Sequence, residues 1–355
     1  MALARLVLED GSEFTGEGFG DLHEVGGEVV FNTSVVGYQE ILTDPSYRGQ
    51  IITMTYPLIG NYGINPDDFA GKRPYARGLI VREFSSQPSN WRSRETLDSF
   101  MKRHDIMGLA SIDTRALTRK LRSSGTMKGL LTTSSVDLQE LVEKVKALPS
   151  LAQEDHVQQT STKKILILPG NGPRVALLDL GAKNNIDQRL QEIDCAVTIY
   201  PASTPAEEIL SGNHQGLLVS NGPGDPKRVP YVVETVKQII GKLPIFGIGL
   251  GHQVVGLALG GETYKLKFGH HGANYPVRDL ATGRIHITRQ NQSFAIREES
   301  LNKSLVQVTH VNVNDGSVQG LRHKELPIFT RQYYMEDAPT PLDSMELFKE
   351  FLNEL

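Results

Sequence analysis

Pro244-Ile245-Phe246-Gly247-Ile248-Gly249-Leu250-Gly251-His252-Gln253 is the stretch whose reading decides the fold. An apolar run makes a short buried strand, the glycines make a sharp turn, and Leu250 opens a helix. The same alternation runs upstream of it. A strand over 174–180 ends at Gly181 and a helix covers 185–192. Strand 196–200 precedes helix 206–210, strand 216–220 precedes helix 229–240, and strand 244–248 precedes helix 250–259. Strands and helices alternating over short connections predict an α/β fold with a doubly wound parallel sheet. After Gly260-Gly261 the pattern is strand-rich through Phe329, and 345–352 reads as a closing helix.

The first part of the chain has a different rhythm. Leu6-Val7-Leu8, Glu28-Val29-Val30-Phe31-Asn32, Gln50-Ile51-Ile52-Thr53-Met54 and Gly78-Leu79-Ile80-Val81 read as short strands between turn signals. Helices are expected near 94–103, near 114–123 behind the N-cap candidate Asp113, and after Ser134-Ser135. In the last, Leu138, Leu141, Val142, Val145 and Leu148 share one face, and Pro149 ends it. The polar text beginning LAQEDHVQQTST reads as a linker. The expected division is therefore a β-rich domain at 1–150, a linker at 151–172 and the α/β domain at 173–355.

The chain has 355 residues, a net charge of −4 and one cysteine, Cys195. Two domains suit that length. The charge balance gives no basic surface for nucleic acid or anionic membrane. One thiol excludes an intramolecular disulfide framework and any zinc site built from several thiolates. No apolar run reaches the ~18 residues of a spanning helix, and the start lacks a signal-peptide core. The expectation is a cytoplasmic protein that binds neither nucleic acid nor membrane.

In a parallel α/β sheet the ligand lies beyond the carboxyl ends of the strands. Two such ends stand out. Leu217-Leu218-Val219-Ser220 runs into Asn221-Gly222-Pro223-Gly224-Asp225-Pro226, whose glycines leave backbone N–H groups able to approach an oxyanion; a plain Gly-Pro turn is the alternative. The strand–turn–helix around Gly249 has the form of a nucleophile elbow, which normally carries Ser or Cys at its apex. Here the apex is Gly249. The rival reading, a dinucleotide loop, does not fit, because Gly247-x-Gly249-x-Gly251 is not G-x-G-x-x-G. His270 and His271, on a loop or strand end, have no third ligand at metal spacing and read as structural, as do His310 and His323 on strand-like text.

Longer strings carry a resemblance. Gly27-Glu28-Val29-Val30-Phe31-Asn32-Thr33-Ser34, Gly37-Tyr38-Gln39-Glu40-Ile41-Leu42-Thr43-Asp44-Pro45-Ser46-Tyr47, Thr55-Tyr56-Pro57-Leu58-Ile59-Gly60-Asn61-Tyr62-Gly63 and Ile112-Asp113-Thr114-Arg115 resemble the small chain of carbamoyl-phosphate synthetase. Leu218–Pro226 with Gly251-His252-Gln253 resembles a class I glutamine amidotransferase, and Phe268-Gly269-His270-His271-Gly272-Ala273-Asn274 narrows the likeness to the synthetase. The likeness covers essentially the whole chain. It implies a β-rich small-chain domain that docks on a large chain, followed by an amidotransferase domain that hydrolyses glutamine. Ammonia would pass through a tunnel to the large chain, which makes carbamoyl phosphate from bicarbonate and ATP. No cofactor is implied on this chain; ATP and magnesium belong to the large one. The product would serve arginine or pyrimidine synthesis.

The same likeness implies a Cys-His-Glu triad, and here the sequence departs from it. The nucleophile position is Gly249. The base position is Tyr334, with Met335 after it, and the acid remains as Glu336. A phenol, which ordinarily ionises near pH ~10, is a poor base at neutral pH. Ser46, Gly222, Gly224, Leu250, Gln253, Asn291 and Phe294 stand at substrate positions, but Gln292-Ser293 replaces His-Gly, putting the Ser293 side chain where a glycine would meet substrate. Departures clustered on one site point to natural drift rather than one designed replacement. The expected function is a non-hydrolysing small subunit, a pseudo-glutaminase. Three readings stay open beside it: an active glutaminase with an unrecognised nucleophile, a free-standing glutamine-binding protein, and weak glutamine binding by the remnant pocket.

Overall fold

The computed structural model describes residues 2–334 and 341–355. They divide into two compact units: Met1–Glu154 with Lys267–His271, and Asp155–Leu266 with Gly272–Leu355.

The first unit is built on strands β1 (Ala2–Leu8), β2 (Glu13–Gly20), β3 (Val25–Asn32), β4 (Gln50–Met54), β6 (Gly78–Ile80), β8 (Met107–Ala110) and β9 (Met127–Thr132), with a short side pair of β5 (Leu58–Ile59) and β7 (Glu83–Phe84). The seven larger strands close into a barrel in the order β1-β2-β8-β6-β4-β3-β9. β3, β4, β6 and β8 run parallel to their neighbours in that series, and the remaining pairs are antiparallel. Alternation sorts the side chains into two cores. Leu6, Leu8, Val29, Phe31, Ile51, Ile80, Met107, Leu109 and Leu131 form one, closed by Leu117 and Leu121 of helix α3 (Thr114–Ser124). Val30, Ile52, Met54 and Leu79 face the other way, under α1 (Tyr38–Thr43) and α2 (Leu97–Arg103).

One expected helix starts where the sequence placed it, and another starts later. Asp113 caps α3 by accepting from the Ala116 N–H at 2.9 Å. Helix α4 (Leu138–Ala147) is capped by Asp137, not by Ser134 or Ser135, because the Asp137 carboxylate accepts from the Gln139 N–H at 2.9 Å. Leu141 and Val145 are its buried residues.

The stretch read as a linker is folded. It carries α5 (Val157–Thr160) and β10 (Leu166–Leu168), which pairs antiparallel with β12 (Ala196–Pro201). In the second unit β12, β11 (Arg174–Asp179), β13 (Gly216–Val219), β14 (Ile245–Ile248) and β19 (Ile328–Arg331) lie parallel in that spatial order. The sheet is mixed rather than parallel throughout. β18 (Val318–His323), β17 (Val306–Asn312), β15 (Glu262–Asp279) and β16 (Ile285–Arg297) extend it to ten strands among the described residues, with β18 antiparallel to β19, β17 to β18 and β15 to β17.

Both faces of the parallel part are covered, which is why its strands read as unbroken apolar runs. Ala176, Leu178, Leu217, Val219, Ile245 and Ile328 pack on α8 (Pro230–Ile239) and α9 (Leu250–Ala258), with Ile209 of α7 (Ala206–Ser211). Their neighbours Val175, Leu177, Leu218, Phe246, Ile248 and Phe329 face Ile186 and Leu190 of α6 (Asn184–Glu192) and Phe348 and Phe351 of α10 (Pro341–Asn353).

His270 and His271 are not on a loop. They lie inside β15, both buried, in the segment that groups with the first unit. There the Lys267 carbonyl accepts from the Thr126 N–H at 2.9 Å and the His271 carbonyl from the Thr33 N–H at 3.1 Å. The string that narrowed the family resemblance therefore has a backbone role in completing the first unit.

Candidate active site

Helix α9 starts directly at the end of β14, and the backbone leaves no slack there. The Gly249 N–H donates to the Arg331 carbonyl at 2.9 Å, and the Gly251 N–H donates to the Ser220 carbonyl at 3.0 Å. A Cβ on Gly251 would stand 2.1 Å from the Val219 carbonyl oxygen, so no side chain fits at that position. Between these two fixed points Gly249 adopts φ +58° and ψ −113°. This is the strained apex of an elbow, a conformation that costs a non-glycine residue about 1–3 kcal/mol and costs glycine little.

Space at the apex is limited too. A Cβ on Gly249 would lie 3.0 Å from the Asn221 Cβ and 3.6 Å from Cε1 of Tyr334. Asn221 cannot easily move. Its Oδ1 accepts from the Lys183 N–H at 3.3 Å and its Nδ2 donates to the Gly181 carbonyl at 3.4 Å, joining the carboxyl ends of β11 and β13. Tyr334 is buried. Its N–H donates to the Arg289 carbonyl at 3.0 Å, its hydroxyl donates to the Asn291 carbonyl at 3.4 Å, and the Lys183 ammonium lies 4.0 Å above its ring.

The structure brings most of the expected site residues of the second unit together. Gly249, Leu250 and Gln253 share the β14–α9 corner, and Gly222 and Gly224 follow β13. Gly222 sits where a Cβ would meet the Leu180 carbonyl oxygen at 2.4 Å, and Gly224 has φ +88°. Asn291, Ser293 and Phe294 lie on β16. The Gln253 amide donates to the Phe294 carbonyl at 2.8 Å and to Oε1 of Gln332 at 2.9 Å. Ser46 belongs to the first unit, where its N–H donates to Asp44 at 2.9 Å and its hydroxyl also donates to Asp44. Glu336, with Met335, lies outside the described residues.

Several residues of the site were not singled out in the sequence. Lys183 and Asn221 stand just past the ends of β11 and β13, where the strand-end rule directs attention. Gln332 gives no local signal. His252 is buried on α9, with Nδ1 2.7 Å from the Thr330 hydroxyl; burial and the nearby Arg331 push its pKa down to about 3, so it is a neutral structural histidine. Cys195 stands at the amino end of β12, away from the carboxyl ends that form the site, fully buried, with its thiol pushed up to about 11 by burial and Asp194. It is no substitute nucleophile. Among the described residues no group of three or more His, Cys, Asp or Glu side chains is arranged to hold a metal ion, and no helix is long and apolar enough to cross a membrane.

The two-part architecture agrees with the comparisons. A model of the carbamoyl-phosphate synthase small chain, CPSase domain, matches residues 6–131, and one of class-I glutamine amidotransferases matches residues 176–354. The carbamoyl phosphate synthase small chain of Bacillus caldolyticus is 51% identical over 348 residues, which is 98% of this chain and 95% of that one. This chain belongs to the carbamoyl-phosphate synthase small-chain family. The small chain of Bacillus cereus is 51% identical over 98% of this chain and 94% of its own length, and that of Listeria monocytogenes is 50% identical over 98% and 95%.

Proposed function

We propose that this chain is a small subunit of carbamoyl-phosphate synthase that has lost the glutaminase step. It docks on a large chain, which uses ATP and magnesium to make carbamoyl phosphate from bicarbonate, and the nitrogen comes from free ammonia. Amide hydrolysis of this type needs an activated nucleophile two bonds beyond the apex Cα, carried on its Cβ, and a base within reach of it. Gly249 ends at its Cα. Tyr334 offers a phenol whose hydroxyl is directed at the Asn291 carbonyl. The observation that carries the reading is the glycine at the apex, held at φ +58° with Tyr334 in van der Waals reach of the missing side chain. The site of action is the cytoplasm, and the pathway is arginine or pyrimidine synthesis.

The test is to purify the chain with a cognate large chain and compare nitrogen donors. Ammonium is expected to support carbamoyl phosphate synthesis, with glutamine at background. A glutamine-supported rate comparable to that with ammonium would overturn the proposal. Failure to co-purify with a large chain would overturn the subunit role.

A further inference from the structure

We propose that Tyr334 is a built-in plug: its ring fills the amide site, so the chain excludes glutamine as well as failing to hydrolyse it. This rests on the reading that the apex has no nucleophile and extends it from chemistry to binding.

A substrate amide has to lie against the apex, next to the nucleophilic atom that a Cys or Ser would carry on its Cβ. Tyr334 Cε1 stands 3.6 Å from where the Cβ of such a residue would be, which is ordinary van der Waals contact. The ring therefore occupies the space in front of the apex. It is fixed by three groups: the Arg289 carbonyl on its backbone N–H, the Asn291 carbonyl on its hydroxyl, and the Lys183 ammonium 4.0 Å over its face. The Gln253 amide is engaged by the Phe294 carbonyl and Gln332. Two of the substrate positions, Gln253 and Phe294, are thus bonded to each other. There is a packing reason for an aromatic residue here. A site without its thiol and its imidazole would leave a void, and interiors do not keep voids without losing contacts. A buried tyrosine, 4% exposed, fills that volume.

The test is binding of L-glutamine to the full chain by calorimetry, with folding checked by near-ultraviolet circular dichroism. The unaltered chain is expected to show no saturable binding. Tyr334→Ala is expected to bind at least about tenfold more tightly than the unaltered chain. Tyr334→Phe keeps the ring and drops only the bond to the Asn291 carbonyl, so it is expected to stay closed. Should Tyr334→Ala not fold, Tyr334→His is measured in its place. Saturable binding by the unaltered chain overturns the plug, as does a folded Tyr334→Ala or Tyr334→His that binds no better. Binding without turnover sinks the plug alone; turnover sinks the loss of glutaminase activity as well.

Discussion

On the β14–α9 side of the site, the backbone is held so closely that the sequence has little freedom. Gly251 sits where a Cβ would be 2.1 Å from a carbonyl oxygen, and its N–H and that of Gly249 each bond a neighbouring strand end. On the β16 and Tyr334 side, side chains make much of the contact: the Tyr334 hydroxyl donates to the Asn291 carbonyl and the Gln253 amide to the Phe294 carbonyl. The contrast separates two demands on one site. Residues that let the elbow fold are needed whether or not the site works, because α9 and β14 are core elements. Residues that do the chemistry add nothing to that packing, so once the reaction is dispensable they can change. Gly249 falls in the first group: at φ +58° it forms the apex at little conformational cost.

The largest effect expected to sharpen this contrast is catalytic. Gly249→Cys alone is expected to stay at background in a glutamine hydrolysis assay, since the thiol would face a phenol. Adding Tyr334→His is expected to raise the rate at least ~100-fold over that single variant, the contribution usual for a positioned base. A double variant still at background would locate the obstruction elsewhere, first at Ser293.

The two glycines differ in kind, and unfolding in urea measures the difference. Gly251→Ala is expected to cost more than about 3 kcal/mol, because backbone surrounds the site and none of it can yield. Gly249→Ala is expected to cost about 1–3 kcal/mol, from its positive φ and the contact with Asn221. Equal costs would break the distinction between scaffold and chemistry.

A smaller effect appears in acid. His252 ties α9 to Thr330 of β19 and stays neutral in the folded chain down to a pKa of about 3. The unfolded chain takes up that proton near pH ~6.5. Stability is therefore unaffected by this group above that value. It falls by up to about 1.4 kcal/mol per pH unit between the unfolded and folded values. His310, also pushed down to about 3 by burial, adds a second slope of the same sign. His252→Gln is expected to flatten the acid limb of a stability profile; an unchanged limb would mean that His252 is already charged in the folded chain.

Much of the second unit was legible because its strands are buried on both faces and its helices are amphipathic, so the pattern is local. The extension by β15 to β18 was legible as strand but not as part of the same sheet, since pairing partners lie far apart in sequence. Barrel closure was hidden for a similar reason. β2 reads EFTGEGFG, with no alternation to detect, because Gly16 lies where a Cβ would be 2.1 Å from the Ala110 carbonyl oxygen. In the site, the elbow announced itself through its glycines. The Gln253–Gln332 bond and the Lys183–Tyr334 stacking did not, because each joins residues distant in the chain with no fixed spacing between them.

Strand β15 also imposes an order on synthesis. Its residues Lys267–His271 complete the first unit, yet they leave the ribosome long after Glu154. At typical elongation rates the nascent barrel waits on the order of ten seconds for that segment. During that interval the Thr33 and Thr126 N–H groups lack the carbonyls they bond in the finished chain. A gene cut after Glu154 would encode a first unit permanently in that unfinished state.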